Sequence, residues 1–189
     1  MFKDSTLNEL VKKYGPPPKR ADRSEFLYEE LVESIIGQQL SGKAADTIFK
    51  RFLALYKGRF PKPEVLLKTN DEKLRSAGMS YSKAAYIKNI AYAFKNNILD
   101  VTKLKKMTDE EVIRELTKIK GVGNWTAEMI LIFTFKREDV FSLGDAGLRR
   151  AIKNLYNIDK EKDILKLAEN WKPKRSYACW YLWRSLENK

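Results

Sequence analysis

The 189 residues are 43% hydrophobic and 12% aromatic, enough for one substantial core or two small lobes sharing a cleft, which excludes a disordered or low-complexity chain. Lysine and arginine number 37 against 25 acidic residues, and the net charge of +12 suits a polyanionic partner, whether DNA, RNA or an acidic membrane surface. Histidine is absent and Cys179 stands alone, so an internal disulfide, a four-thiolate zinc or iron–sulfur site and an imidazole base are all excluded, and hydrolytic chemistry must rest on carboxylates, Lys, Tyr, Ser or Thr.

Helical periodicity dominates, with no convincing alternating strand or Asn-Gly hairpin, so the class is all-α. After a short start ending at Gly15-Pro16-Pro17-Pro18, Ser24 can cap a helix carrying Phe26, Leu27, Leu31, Ile35 and Ile36 on one apolar face and ending at Gly37-Gln38-Gln39-Leu40. Ser41 caps a second helix with Ala44, Ala45, Ile48, Phe49 and Phe52 inward, closed by Gly58 and the break at Pro61 and Pro63. Short helices are expected over 64–68 and 71–77, with Asn70 as cap and Gly78 as stop, before a longer one over 82–96. Thr108 and Glu111 form a capping-box pattern that opens a helix with Val112, Ile113 and Leu116, leading to a glycine turn and another helix from near Asn124. Helices over 145–156, 163–170 and 174–186 bring the total to about ten. The longest strongly apolar stretch, 129–135, is far short of the roughly 20 residues of a membrane span, and no secretory apolar core opens the chain, so a soluble cytoplasmic protein with no membrane partner is expected.

Between two amphipathic helices, the segment Leu116-Thr117-Lys118-Ile119-Lys120-Gly121-Val122-Gly123-Asn124-Trp125-Thr126-Ala127 places two glycines one residue apart. Glycine permits positive φ and close backbone approach, so such a turn can aim the amides of the next helix's first turn at an anion, and a DNA phosphate fits. An ordinary αα-hairpin with glycine as a stop is the other reading. The segment resembles the hairpin of the helix-hairpin-helix (HhH-GPD) DNA glycosylases, which pair it with a downstream Asp, and Leu143-Gly144-Asp145 stands about where that Asp belongs. The resemblance implies a single domain over 1–189, with the motif at about 109–135, folded as a compact bundle in two lobes with the active-site cleft between them. It implies DNA contacts at Gly121, Val122, Gly123 and Thr126. It also implies a monovalent cation, Na+ or K+, held by the backbone carbonyls of Thr117, Ile119 and Val122.

Bifunctional members of that superfamily carry a Schiff-base lysine where this chain has Trp125, so strand cleavage through a covalent imine is not expected. Lys120 precedes the glycines and falls on the wrong side of the turn. Trp125 is instead similar to the 3-methyladenine DNA glycosylase II (AlkA-like) branch, as are Ile36-Gly37-Gln38-Gln39-Leu40-Ser41, Gly78-Met79-Ser80 with Lys83 and Tyr86-Ile87, and Trp171-Lys172-Pro173 with Arg175-Ser176-Tyr177-Ala178. These segments cover most of the chain from about residue 24 and leave no room for the N-terminal sheet domain of some members. The resemblance makes Asp145 the catalytic carboxylate, Trp125, Met129 and Trp183 the base pocket, and Gln39 the wedge that fills the hole left by a flipped nucleotide. Met129 departs from an often aromatic position, and Gly144 replaces an Asp of many relatives.

Asp145 also reads as a helix N-cap, and Gln39 as a helix end; Trp171 and Trp180 read as core. The function implied is monofunctional excision of alkylated bases from double-stranded DNA by base flipping, carried out by a monomer with no cofactor or iron–sulfur cluster. The competing readings are a non-catalytic helix-hairpin-helix lesion sensor and a glycosylase for oxidised or mismatched bases.

Overall fold

The computed structural model describes residues 2–19 and 21–187. Among them the chain forms twelve α-helices and no strand, the class expected from its periodicity. In order they are α1 (Ser5–Tyr14), α2 (Leu27–Gly37), α3 (Gly42–Ala54), α4 (Pro63–Lys68), α5 (Asp71–Ser76), α6 (Tyr81–Lys95), α7 (Val101–Lys106), α8 (Asp109–Thr117) and α9 (Asn124–Met129), which runs into a π turn at Ile130–Thr134, then α10 (Ala146–Tyr156), α11 (Glu161–Glu169) and α12 (Arg175–Arg184). No helix among the described residues is long and apolar enough to cross a membrane.

Two of the twelve, α1 and α7, exceed the expected ten. α1 begins where Asp4 accepts the Leu7 N–H at 3.0 Å, and it buries Leu7 and Leu10. α7 has six residues, capped by Asp100 on the Lys103 N–H and buried through Leu104 alone, too few turns for a periodicity to register. The expected caps fare unevenly. Asn70 accepts from Glu72 and Thr108 forms the full capping box with Glu111. Ser41 holds the N-cap position of α3 without a side-chain cap bond, and Ser24 opens a 3-10 turn (Ser24–Phe26) ahead of α2.

The chain divides into two compact units, Arg23–Ile130 and the combination of Met1–Asp22 with Leu131–Lys189. The first holds α2 to α9 around Leu31, Val32, Ile35, Phe52, Leu66, Leu74, Ile87, Ile90, Val112 and Leu116, each fully buried. Burying such a side chain contributes about 1.5–3 kcal/mol, so these residues dominate that unit's stability. The second unit is assembled from both ends of the chain. Leu7 and Leu10 of α1 pack with Leu148, Ile152, Ile164, Cys179 and Leu182 of α10 to α12 and with Trp171 of the turn between α11 and α12. Asp4 Oδ2 accepts the Trp171 indole N–H at 2.8 Å and the Tyr156 hydroxyl at 3.0 Å, so the carboxylate that caps α1 also fastens it to the C-terminal helices. Trp171 therefore lies in the core as expected.

Candidate active site

In the Arg23–Ile130 unit the two glycines of the hairpin do different work. Gly121 has φ +109°, and a Cβ there would fall less than 3.0 Å from Cβ, Cγ and Cδ1 of Tyr86, so both conformation and space demand glycine. Gly123 has φ −93° as N-cap of α9, and a Cβ there would meet nothing within 4 Å. Its surroundings impose no limit, and an exposed backbone remains open to an approaching ligand. The helical ladder of α9 begins with the Ala127 N–H donating to the Gly123 carbonyl, so Gly123 and Asn124 stand at the positive end of that helix. Val122 and Thr126 are buried as whole residues, 4% and 1% exposed. Trp125 is 38% exposed and Met129 is half-buried. The Ile119 carbonyl accepts the Val122 N–H at 2.9 Å.

Gln39, the wedge residue implied by the resemblance, is exposed at the C-terminal end of α2 with a left-handed φ of +59°. Its neighbour Gln38 donates to the Gly121 carbonyl at 3.3 Å and the Thr126 hydroxyl at 3.0 Å. Lys83 Nζ donates to the carbonyls of Ile36 and Gln38 at 2.8 and 2.7 Å, and burial lowers its pKa below the ordinary lysine value. Lys83, Tyr86 and Asn89 lie three residues apart on one face of α6. Tyr86 fills the space beside Gly121, and the Asn89 amide donates to the Lys120 carbonyl at 3.0 Å.

In the other unit, Asp145 caps α10. Its Oδ1 accepts the Leu148 N–H at 2.7 Å and the Trp183 indole N–H at 2.9 Å, and only 8% of the residue is exposed. The two readings of Asp145 from sequence are thus compatible in one geometry: the cap bond orients the carboxylate and the positive end of α10 favours its charge. Trp183 adds a second fixed donor, and its ring stacks on Phe133 at 5.6 Å and 29°. A Cβ on Gly147 would sit 3.0 Å from Asp145 Oδ1 and 3.2 Å from Trp183 Cδ1, so the bare backbone makes room for the pair.

The segment before Asp145 is anchored to the start of α12. Arg175 grips Asp139 through Nε at 2.9 Å and Nη2 at 3.1 Å, while the Ser176 hydroxyl donates to the Arg137 carbonyl and accepts the Val140 N–H. α12 consequently holds the Asp145 loop at two points, Arg175 and Ser176 at its first turn and Trp183 near its last. Trp180, expected in the core, is half-buried and lines a cavity of about 510 Å³ with Pro17, Pro18 and Tyr177.

Sequence reading gave no role to Gln38, Lys83, Phe133 or Gly147. Phe133 is the one exposed member of the apolar 129–135 stretch, and Gly147 follows Asp145 by two residues, a spacing whose meaning depends on Trp183 folding back onto it.

The family model of the HhH-GPD superfamily base excision DNA repair protein matches residues 32–174. DNA-3-methyladenine glycosylase 1 of Schizosaccharomyces pombe is 36% identical over 188 residues, covering 96% of this chain and 82% of the relative. The crystal structure of a DNA-3-methyladenine glycosidase from Bacillus halodurans superposes with a TM-score of 0.83 at 38% identity, covering 98% of this chain and 86% of the other. A 3-methyladenine DNA glycosylase of S. pombe in complex with abasic DNA superposes with a TM-score of 0.88 at 36% identity, covering 97% and 92%.

Proposed function

The chain belongs to the HhH-GPD superfamily of base excision DNA repair proteins, and from that premise we propose that it is a monofunctional DNA glycosylase hydrolysing the N-glycosidic bond of alkylated bases, of the 3-methyladenine and 7-methylguanine type, in double-stranded DNA. The observation that carries the reading is Asp145, a nearly buried carboxylate held by two N–H donors in a chain that has no histidine.

The hairpin amides and the cationic surface hold phosphates while the target base is extruded, at roughly a few kcal/mol that fall when the lesion already weakens pairing. A base alkylated on a ring nitrogen carries positive charge, which an exposed indole such as Trp125 attracts through its π face and the Met129 thioether accommodates by its polarizability. The bond from C1′ to the base nitrogen breaks with its electron pair leaving on the base, neutralising it, so no general acid is required. The sugar becomes oxocarbenium-like. The Asp145 carboxylate stabilises that charge and orients a water whose oxygen adds to C1′ as its proton passes to the carboxylate or to solvent. Trp183 keeps Oδ1 in place through this change, and as an aromatic surface beside the carboxylate it also serves the base pocket. With Trp125 where a lyase needs an amine, water is the only nucleophile and the product is an intact strand with an abasic site. The carbonyls of Thr117, Ile119 and Val122 would hold a monovalent cation; that of Ile119 keeps a second lone pair beyond its bond from Val122, which suits a hard cation.

The test is excision from a methylated duplex with and without hot alkali. Wild type should give nicks only after alkali, and Asp145→Asn should bind an abasic duplex with unchanged affinity yet release no base. Near-normal turnover by Asp145→Asn overturns the assignment of the carboxylate, alkali-independent nicking overturns monofunctionality, and alkali-labile sites absent with wild type favour a lesion sensor.

A further inference from the structure

Within the Arg23–Ile130 unit, one hydrogen-bonded chain of residues joins the hairpin to the loop that carries Gln39. The Gly121 carbonyl can only accept, so it is the amide nitrogen of Gln38 that faces it, and the same nitrogen reaches the Thr126 hydroxyl at the first turn of α9. Gln38 thus bridges both sides of the turn from 83 and 88 positions away in sequence. Behind it, Lys83 Nζ clamps the carbonyls of Ile36 and Gln38, placing a cation at the C-terminal end of α2, where the helix dipole favours one. Next in the chain after the clamped Gln38 carbonyl is Gln39, exposed, with its backbone in a left-handed conformation that a non-glycine residue holds only when its surroundings over-determine it.

We infer that Gln38 and Lys83 are positioning residues for base extrusion: they lock the Gln39 loop to the phosphate-binding hairpin, so that gripping the backbone sets where Gln39 enters the stack. The inference rests on the assignment of the hairpin and Gln39 to DNA binding. It deepens that reading by naming what couples them. Neither residue need touch DNA. A lesion in single-stranded DNA has no hole in a base stack to fill, so losing the coupling should matter only in duplex.

The experiment compares Gln38→Met and Lys83→Met with wild type in two readouts: single-turnover excision, at saturating enzyme, of the same lesion in duplex and in single-stranded DNA, and fluorescence of a 2-aminopurine placed at the target position of a duplex. Two lost hydrogen bonds per variant should reduce duplex excision by about tenfold, leave single-strand excision within about twofold, and suppress the fluorescence rise that reports extrusion. Equal loss on both substrates means a merely structural role and overturns the inference, as does an unchanged fluorescence rise. Should wild type excise nothing yet raise the fluorescence, the glycosylase reading falls while the fluorescence arm still decides the coupling. Gln38→Met carries the test alone if Lys83→Met does not fold.

Discussion

Gly147→Ala separates the chemistry of this protein from its stability. The position is the second residue of α10 with ordinary helical backbone, so alanine is conformationally welcome and favours the helix by up to about 1 kcal/mol. The added methyl, however, would lie 3.0 Å from Asp145 Oδ1, which is 0.4 Å inside the 3.4 Å where ordinary contact begins. Oδ1 cannot yield freely, because the Leu148 N–H at 2.7 Å and the Trp183 N–H at 2.9 Å hold it from two directions. Displacing it by 0.4 Å would stretch those bonds to at most about 3.1 and 3.3 Å, the second beyond the usual limit of about 3.2 Å. If a misplacement of about 1 Å reduces a rate by about a hundredfold, 0.4 Å should reduce it by roughly fivefold to tenfold. Thermal unfolding should therefore show a melting temperature equal to or slightly above wild type. Single-turnover release of methylated base should slow fivefold to tenfold, and affinity for an abasic duplex should be unchanged. Normal excision would mean that the indole and carboxylate absorb the methyl, and it would refute the reasoning; a parallel fall in affinity would place the damage elsewhere.

Four further outcomes follow from the structure. Trp183→Phe keeps a ring to stack on Phe133 but deletes the donor to Asp145, and should slow excision about tenfold in the single-turnover assay with little change in the melting curve. Gly121→Ala should destabilise by at least about 2 kcal/mol through the Tyr86 clash and the positive φ, whereas Gly123→Ala should melt like wild type and weaken binding to an abasic duplex about tenfold, read by fluorescence anisotropy. Asp4→Ala removes the α1 cap and strands the Trp171 and Tyr156 donors, a loss of about 2–4 kcal/mol. By differential scanning calorimetry it should lower the melting temperature by roughly 5–15 °C.

What could be read in the sequence was what depends on near neighbours. The capping box at Thr108 and Glu111, the Asn70 cap and Asp145 as the N-cap of α10 are all signalled within three or four residues, and the structure has each of them. The Gly-Val-Gly turn was legible as a turn, but the pattern treats its glycines alike. Only Tyr86, some 35 positions earlier, reveals that Gly121 is sterically obligatory and Gly123 is not. The donor that Trp183 gives to Asp145 and the bridge Gln38 makes to the hairpin span 38 and more than 80 positions, and no local periodicity records them. α1 and α7 escaped for a different reason: each buries only one or two leucines, Leu7 and Leu10 in α1 and Leu104 in α7, too few to register as a periodicity.

The unit that carries Asp145 is built from the two ends of the chain, and this orders events on the ribosome. The 23–130 unit is continuous and can fold as it is made, but α1 emerges first and must wait for Trp171, 167 positions behind Asp4. At about 5–20 residues per second that interval is roughly 10–30 s, during which an amphipathic helix with no partner is exposed. The unit that carries the glycine hairpin is thus complete well before the unit that carries Asp145 has its full core. The Asp145 carboxylate gains its second fixed donor only after α12, which carries Trp183, has been made.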